Sequence, residues 1–267
     1  MDPFDFTGRS VFVAGGTSGI NLGIARGFAA HGANAAVASR SADKVDAAVK
    51  ELSSLGGKAM GRAADVRDAP AIAAALAAAH EKFGDIDVLV SGAAGNFPAA
   101  VLAMSPNAFK AVVDIDLLGT FNVMRAAHQY LRKPGAVVVN ISAPQSVHPT
   151  MMQAHVCAAK AGVDMLTRCL CLEWGADGIR VNSVIPGPIG DTEGMARLSP
   201  TAEALETVKK SVPLGRFGTK DEIANMVMFL ASPLASYVSG AIVPVDGGWI
   251  AAGARGFSLT ELEQRKV

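Results

Sequence analysis

A glycine-rich turn near the start of the chain has the composition of an anion-binding loop. In the stretch VFVAGGTSGINLGIA, Gly15 and Gly19 allow the backbone to approach a diphosphate closely, and Thr17 and Ser18 offer hydroxyl donors. A helix that starts near Ile20 would aim its free amides and the positive end of its dipole at the anion. A glycine turn alone also occurs in tight connections, but this one lies between a first strand and a first helix. That position favours nucleotide binding.

The end of the second apolar run carries a basic residue where a carboxylate would bind two ribose hydroxyls. The run finishes VASRSAD, with Arg40 directly after Ser39 and no acid at the tip. Because arginine pairs with a 2′-phosphate, this pattern predicts NADPH. The alternative is a solvated surface arginine. Asp65, in AADV at the end of the third run, could accept from the adenine amine or cap the next helix.

A lysine lies in the small-residue, helix-forming stretch QAHVCAAKAG, and a reductase would also need a proton donor. Lys160 has no tyrosine near it, and the two tyrosines of the chain are Tyr130 and Tyr237. A ketone reductase needs an acid that touches the oxygen as the alkoxide develops. The sequence therefore requires either another proton source or a reaction in which charge develops elsewhere.

The elements that must position these residues alternate along the chain. Short β-branched runs predict strands at 10–15, 34–39, 58–65, 86–92, 136–142, 179–187 and 241–248. Longer alanine-rich stretches predict helices near 20–31, 43–55, 69–83, 107–131, 151–175 and 220–231. The alternation predicts an α/β fold, a single-domain Rossmann-type doubly wound parallel seven-stranded sheet over 1–267 with helices on both faces. The long irregular stretch 186–219 predicts a substrate lid near 188–215.

Composition excludes several other classes of protein. The 267 residues include 24 basic and 24 acidic side chains, so there is no electrostatic footprint for nucleic acid. We expect no membrane span, because no run of 18 apolar residues exists. The three cysteines lack metal-ligand spacing, and no metal is expected. Neither MDPFDFTGRS nor the final RKV reads as a targeting signal, which predicts a cytoplasmic protein.

These segments resemble the short-chain dehydrogenase/reductase family over essentially the whole chain. The glycine turn follows the family pattern, except that Asn21 stands for the last glycine. SGAAG (91–95) stands where the family usually has Asn-Asn-Ala-Gly, and PGPI (186–189) matches the segment that holds the nicotinamide carboxamide. The resemblance implies NADP(H) as cofactor. The residues expected to contact it are Gly15, Thr17, Ser18, Gly19, Ile20, Ser39, Arg40, Ser41, Asp65, Val66, Ala93, Lys160, Pro186, Gly187, Ile189 and Thr192.

The resemblance also shows what is missing from the site. The family's usual proton donor is a tyrosine four residues before the lysine, and here that position is Val156. Asp116 stands where the family commonly has an asparagine that holds a water beside the lysine. Asp116 and Lys160 would share that water and pass on a proton, with the ammonium keeping the carboxylate ionised. The alternative is that Asp116 is only a structural partner of a helix kink or of Lys160.

The stretch SGAAGNFPAAVLAMSPNAFKAVVDIDLLGTFNV is similar to the 2,4-dienoyl-CoA reductases, and most to their peroxisomal type. That type carries the aspartate and the lysine but no catalytic tyrosine, whereas the mitochondrial type keeps a tyrosine at the position of Gln145. The resemblance implies an acyl-CoA thioester substrate, hydride delivery to the far end of the diene and a 3-enoyl-CoA product. Asn96 would donate to the thioester oxygen, and Ser142 would either contribute directly or line the site. It also implies a homotetramer.

Two other functions are compatible with the sequence. The chain could be a 3-oxoacyl or other carbonyl reductase of the same family whose acid is His155 or a water. It could also be a non-catalytic NADPH-binding module. His155 itself could equally be a structural or interface histidine.

Overall fold

Seven parallel strands form one sheet in the computed structural model, which describes residues 2–252. The strands are β1 (Ser10–Ala14), β2 (Asn34–Ser39), β3 (Ala59–Ala63), β4 (Val88–Ser91), β5 (Val137–Ile141), β6 (Arg180–Pro186) and β7 (Ile242–Val245). Their order is β3-β2-β1-β4-β5-β6-β7, and every neighbouring pair is parallel. The predicted doubly wound Rossmann-type sheet is therefore confirmed. Met1 and residues 253–267 of the predicted domain lie outside the described residues.

The direction in which successive strands are added to the sheet changes at β1. Val13 on β1 is in register with Val37 on β2 and with Val90 on β4. The chain moves outward from β1 to β3 and then returns to form β4 on the other side of β1. Such a switch point leaves a crevice at the carboxyl ends of the strands, and ligands of open α/β sheets bind there.

Helices cover both faces of this sheet. They are α1 (Gly19–Ala30), α2 (Ala42–Leu52), α3 (Ala69–Phe83), α4 (Pro106–Val113), α5 (Gly119–Ala127), α6 (Ala154–Trp174), α7 (Glu193–Leu198), α8 (Ala202–Ser211) and α9 (Lys220–Ala231). The predicted helices near 20–31, 69–83 and 220–231 match α1, α3 and α9 to within one residue. Helix α6 starts three residues later than predicted. Among the described residues, no helix combines the length and the apolar character that a bilayer span requires.

The stretch 186–219 is more regular than the sequence predicted. It contains α7 and α8, and each is capped by a threonine. Thr192 accepts from the Met195 N–H, and Thr201 accepts from the Ala204 N–H. A side-chain cap satisfies one of the free amides at a helix start and so stabilises even a short helix. The prediction of a wholly irregular stretch was wrong, because these two caps were not recognised.

The predicted helix 107–131 is interrupted by a π-helical turn. Helix α4 ends at Val113, residues Asp114–Leu118 form the turn, and the Gly119 N–H donates to the Asp114 carbonyl five residues back. The wider spacing of a π-turn changes where side chains point, and such turns are frequent at functional sites. Here it gives Asp116 a fully buried position, whereas Asp114 remains near the surface and pairs with Lys110.

Alternate residues of β1, β2, β4, β5 and β6 supply two hydrophobic cores, one on each face of the sheet. Val13 of β1 packs with Phe28 of α1 and Val227 of α9 on one face. Phe12, its neighbour, packs with other helices on the opposite face, where Leu76 and Trp174 are buried. This follows from the two-residue period of a strand, because successive side chains point to opposite faces. The two covered faces make a rigid platform for the crevice.

Candidate active site

A cavity of about 640 Å³ opens at the carboxyl ends of the strands, at the switch point described above. It is lined by 14 of the 16 residues predicted to contact the cofactor. These are Gly15, Ser18, Gly19, Ile20, Ser39, Arg40, Asp65, Val66, Ala93, Lys160, Pro186, Gly187, Ile189 and Thr192. Asp116, Asn96 and Ser142 line the same cavity. One continuous space therefore contains both predicted groups of residues.

The other two predicted cofactor residues do not line the cavity. Thr17 is buried in the glycine turn. Ser41 accepts a hydrogen bond from the Lys44 N–H and so caps α2. Serine hydroxyls in loops often form hydrogen bonds with nearby backbone groups, and the Ser41 hydroxyl does so at the start of α2.

The glycine turn fits a diphosphate. Gly15 has φ +76°, and a Cβ there would lie 2.9 Å from the Ala93 Cα, so only glycine fits this approach without a shift. Ser18 is the N-cap residue of α1, but its hydroxyl makes no capping hydrogen bond within the described structure. The first amides of α1 therefore face the cavity without a side-chain cap, as an anion-binding helix start requires.

Asn21, which departs from the family pattern, connects α1 to the end of β4. Its Nδ2 donates to the Gly92 carbonyl at 2.7 Å. A Cβ on Gly92 would lie 2.1 Å from the Asn21 Oδ1, so the two residues fit only because Gly92 lacks a side chain. The departure leaves Gly15 and Gly19 on the cavity wall, as expected.

Arg40 and Asp65 lie at the ribose end of the cavity. Arg40 is exposed. Asp65 pairs with Arg67, whose Nη2 lies 2.6 Å from the Asp65 Oδ2, and this hydrogen bonding lowers the pKa of Asp65. Helix α3 is capped by Asp68, which accepts from the Ala71 N–H. The alternative interpretation of Asp65 as the cap is therefore wrong.

The carboxamide segment and the start of the lid form another part of the wall. Pro186, Gly187 and Ile189 are at the cavity surface, where the resemblance placed them. Thr192 is there too, but its Oγ1 donates to the Ile189 carbonyl and accepts from the Met195 N–H. Its hydroxyl hydrogen is thus already used within the protein.

Asp116 and Lys160 form a buried ion pair at the inner end of the cavity. The Lys160 Nζ lies 3.5 Å from the Asp116 Oδ2 and donates to the Ile141 carbonyl at 3.0 Å. The other carboxylate oxygen, Oδ1, accepts from the Gly95 N–H at 2.7 Å. Oδ2 has no hydrogen-bond partner among residues 2–252. The Asp116 carboxylate therefore has one oxygen that is fixed by a hydrogen bond and one that can accept a hydrogen bond from a further donor.

Burial raises the pKa of Asp116, although Lys160 and the Gly95 N–H act in the opposite direction. The sequence predicted that the ammonium would keep the carboxylate ionised. Lys160 does favour the ionised carboxylate, but its effect on the pKa is smaller than that of burial, so the protonation state of Asp116 stays a prediction. With a raised pKa, the Asp116 carboxyl keeps its proton to a higher pH than a solvated aspartate does.

Ser142 and Val156 occupy the positions where the family usually has its serine and tyrosine. Ser142 is buried, and its Oγ has no partner in the described part of the chain. Val156 contributes only apolar surface to the cavity. Tyr237 is fully exposed, and Tyr130 stacks near His80. Neither tyrosine is at the cavity.

His155 is fully buried and packs on Phe97, with ring centroids 4.6 Å apart. Neither ring nitrogen has a hydrogen-bond partner within residues 2–252. His155 is not among the residues that line the cavity, although a positive charge on it would lower the pKa of the nearby Asp116. These contacts favour a structural role for His155 over a role as the acid of a carbonyl reductase.

Three amide side chains meet on the cavity wall. The Gln153 Oε1 accepts from the Asn96 Nδ2 at 3.2 Å and from the Gln145 Nε2 at 3.0 Å. Sequence reasoning missed Gln153, because no motif signals a contact between residues 57 positions apart. Trp249 lines the cavity, and its Nε1 donates to the Ser211 Oγ at 2.9 Å.

Comparison with known proteins identifies the class of protein to which this chain is similar. The sequence profile described as "Enoyl-(Acyl carrier protein) reductase" matches residues 14–250. The chain is 48% identical over 242 residues to the peroxisomal 2,4-dienoyl-CoA reductase [(3E)-enoyl-CoA-producing] of Rattus norvegicus, covering 90% of this chain and 83% of the relative. It is 37% identical over 246 residues to the probable 2,4-dienoyl-CoA reductase [(2E)-enoyl-CoA-producing] of Bacillus subtilis, covering 91% and 97%.

The fold has a similar counterpart among solved structures. A single-substitution variant of actinorhodin polyketide ketoreductase, solved with NADPH, superposes with a TM-score of 0.85 at 32% identity, covering 90% of this chain and 97% of that one. Profile, relatives and fold thus agree on an oxidoreductase. The chain belongs to the short-chain dehydrogenase/reductase family.

Proposed function

We propose that this chain is an NADPH-dependent reductase of 2,4-dienoyl-CoA thioesters that forms 3-enoyl-CoA. The observation that carries the proposal is the buried pair Asp116 and Lys160, 3.5 Å apart on the cavity wall. The phenol typical of the family is replaced by the apolar Val156. The names of the rat and Bacillus relatives support the same class of substrate.

The cavity supports NADP(H) as the cofactor. The open turn at Gly15 and the uncapped start of α1 would hold the diphosphate. The exposed Arg40 would pair with a 2′-phosphate, since the strand end at Ser39 offers no carboxylate to the ribose. When bound, NADPH supplies the hydride that reaches the far carbon of the diene.

Asn96 would stabilise the charge that develops on the thioester. A dienoyl thioester that accepts a hydride becomes a dienolate, whose negative charge is largest on the thioester oxygen. One Asn96 N–H is used on Gln153, and its second N–H remains for that oxygen. A preorganised donor of this kind stabilises the transition state more than the ground state.

Asp116 and Lys160 would deliver the proton. The Gly95 N–H and the Ile141 carbonyl hold the two groups in place, so that both can bind one water. Because burial raises the pKa of Asp116, its carboxyl can carry a proton and pass it through that water to carbon. The role would be that of a general acid that needs no phenol.

The position of this acid supports 3-enoyl-CoA as the product. Protonation at the carbon next to the carbonyl gives a 3-enoyl thioester, whereas protonation two carbons further along gives a 2-enoyl thioester. Asn96, the thioester donor, directly follows Gly95, whose N–H holds Asp116. The proton source would thus lie beside the carbonyl end of the substrate. The rat relative is named for a 3-enoyl product and the Bacillus relative for a 2-enoyl product, so the product of this chain must be measured.

The test is oxidation of NADPH by purified protein with hexa-2,4-dienoyl-CoA, followed by NMR of the product in D2O. The proposal expects turnover, with deuterium on the carbon next to the carbonyl and a double bond at carbon 3. Crotonyl-CoA and acetoacetyl-CoA serve as enoyl and 3-oxoacyl controls. Turnover of acetoacetyl-CoA alone would favour a carbonyl reductase, and tight NADPH binding with no turnover would favour the non-catalytic module.

We also propose that the segment near 188–215 is a lid over the cavity.

We further propose that the chain forms a homotetramer. Large apolar side chains are exposed on neighbouring helices, at Phe121 on α5 and at Met165 and Leu172 on α6. Burying them between copies would remove apolar surface from water. Light scattering that gives the mass of one chain would contradict the tetramer. The cytoplasmic location stays a prediction.

A further inference from the structure

The three amides Asn96, Gln145 and Gln153 form a connected cluster at the cavity wall. The carbonyl oxygen of Gln153 accepts from both of the others, at 3.2 Å and 3.0 Å. Gln153 is buried, and all three residues line the cavity. A carbonyl oxygen can accept two hydrogen bonds, so this one is fully used.

The cluster decides which end of the Asn96 amide faces Gln153. The Asn96 Oδ1 is buried and has no partner within the described residues. The Asn96–Gln153 hydrogen bond is therefore what selects between two orientations of nearly identical shape. If the Asn96 amide rotated by half a turn, its oxygen would face the Gln153 oxygen, and two acceptors would meet without a donor.

Gln145 in turn orients Gln153. Its Nε2 donates to the same Gln153 oxygen, so that oxygen is directed towards two N–H donors at once. Rotation of the Gln153 amide would break both hydrogen bonds. The contacts join a loop after β4 to the segment before α6, two parts of the chain that are far apart in sequence.

We infer that Gln153 is a positioning residue that fixes the Asn96 amide with an N–H towards the thioester oxygen. This inference rests on the proposed function, because it assigns that oxygen as the group Asn96 serves. Gln153 itself does not need to touch the substrate. It keeps the donor end of Asn96 available and so determines the charge stabilisation at the carbonyl.

The experiment compares Gln153→Leu with wild type and with Gln129→Leu, the same change on an exposed helix end. The first readout is the absorption band of hexa-2,4-dienoyl-CoA bound with NADP⁺, which moves to longer wavelength when its carbonyl is polarised by a donor. The second is kcat with NADPH. We expect Gln153→Leu to lose most of the band shift and to reduce kcat by about 10-fold to 100-fold, somewhat less than the loss of an oxyanion donor itself. Gln129→Leu should match wild type.

A merely structural role is separated by repeating the change in an Asn96→Ala background. Because Gln153 acts through Asn96, Gln153→Leu should then have little further effect on the band or on kcat. Equal effects in both backgrounds would overturn the inference, as would a wild-type band shift in Gln153→Leu. If that variant unfolds, Gln153→Met keeps the length of the side chain and takes its place.

The inference and the proposed function fail in different ways. A wild-type protein that neither oxidises NADPH with the dienoyl thioester nor shifts its band overturns both. A wild-type protein that does both, together with an unaffected Gln153→Leu, overturns the inference alone.

Discussion

Asp116 on the π-helical turn and Lys160 on α6 place a carboxylate oxygen and an ammonium nitrogen 3.5 Å apart, at the inner end of a cavity. Each is also held by backbone, Asp116 by the Gly95 N–H and Lys160 by the Ile141 carbonyl. The pair is thus fixed from four segments of the chain. A pair with this much support is held in place before any ligand binds.

Arg40→Ser should weaken NADPH binding and leave NADH binding nearly unchanged. The guanidinium is proposed to pair with the 2′-phosphate, which NADH lacks. Loss of a charge-assisted contact of about 1.5–3 kcal/mol corresponds to roughly 10-fold to 100-fold in Kd. Fluorescence titration of both cofactors measures it. The matched control is Arg26→Ser, because Arg26 pairs with Glu51 on the surface. Equal losses for both cofactors would contradict the assignment.

His155→Leu should retain turnover of the dienoyl thioester. The ring packs on Phe97 and is not part of the cavity lining, so it is not placed to touch a reacting oxygen. Leucine fills similar space and removes two buried nitrogens that lack partners within the described chain. Steady-state kinetics and a thermal melt of the variant are the measurements. Loss of dienoyl thioester turnover in a folded variant would mean that His155 takes part in the reaction.

Asp87→Ala should destabilise the protein without changing its cofactor preference. The buried Asp87 accepts from the Ser10 N–H at 2.9 Å and pairs with Arg9 and Arg132. The change leaves a buried N–H without its acceptor, which costs about 1–3 kcal/mol. Urea unfolding monitored by circular dichroism gives the free energy. The control is Asp43→Ala, at an exposed position in the first turn of α2. Equal free energies of unfolding for Asp87→Ala and wild type would show that the contacts of Asp87 with Ser10, Arg9 and Arg132 do not stabilise the fold.

Asp116 should make the stability of the protein decrease as pH rises. Because burial raises its pKa in the folded state above the ordinary value of 3.8, the folded state binds this proton more tightly than the unfolded state does. Its contribution is present below pH 3.8 and is lost as pH rises through the folded pKa. The melting temperature of wild type minus that of Asp116→Asn should therefore fall as pH rises above 3.8. A difference that grows with pH would mean that the folded pKa is lowered.

The sequence predicted the sheet and most of the cavity for identifiable reasons. Buried parallel strands such as β1 and β5 are runs of apolar residues, and their carboxyl ends meet at one edge. Gly15, which follows the end of β1, could therefore be assigned to a ligand site at that edge, whereas Ser142 was assigned from the family resemblance. The roles of Asp116, Asn96 and Lys160 came from the family resemblance, and they remain proposals.

The features that could not be predicted from the sequence depend on contacts between segments that are far apart along the chain. The π-helical turn that buries Asp116 leaves no clear periodicity in Asp114–Leu118. The Asn96–Gln153 hydrogen bond needs the full fold. Nor could the balance between burial and Lys160 be read from residue types, since the pKa of Asp116 depends on how much water reaches it.

The central claim is that Asp116 supplies the proton in the reduction of a dienoyl thioester. The most direct measurement is kcat of Asp116→Asn with NADPH and hexa-2,4-dienoyl-CoA, beside the Kd for NADPH. The asparagine still offers an oxygen to the Gly95 N–H, so the fold is kept while the acid is lost. The account predicts a fall in kcat of about 100-fold or more with an unchanged Kd for NADPH. A folded variant whose kcat equals that of wild type would contradict it.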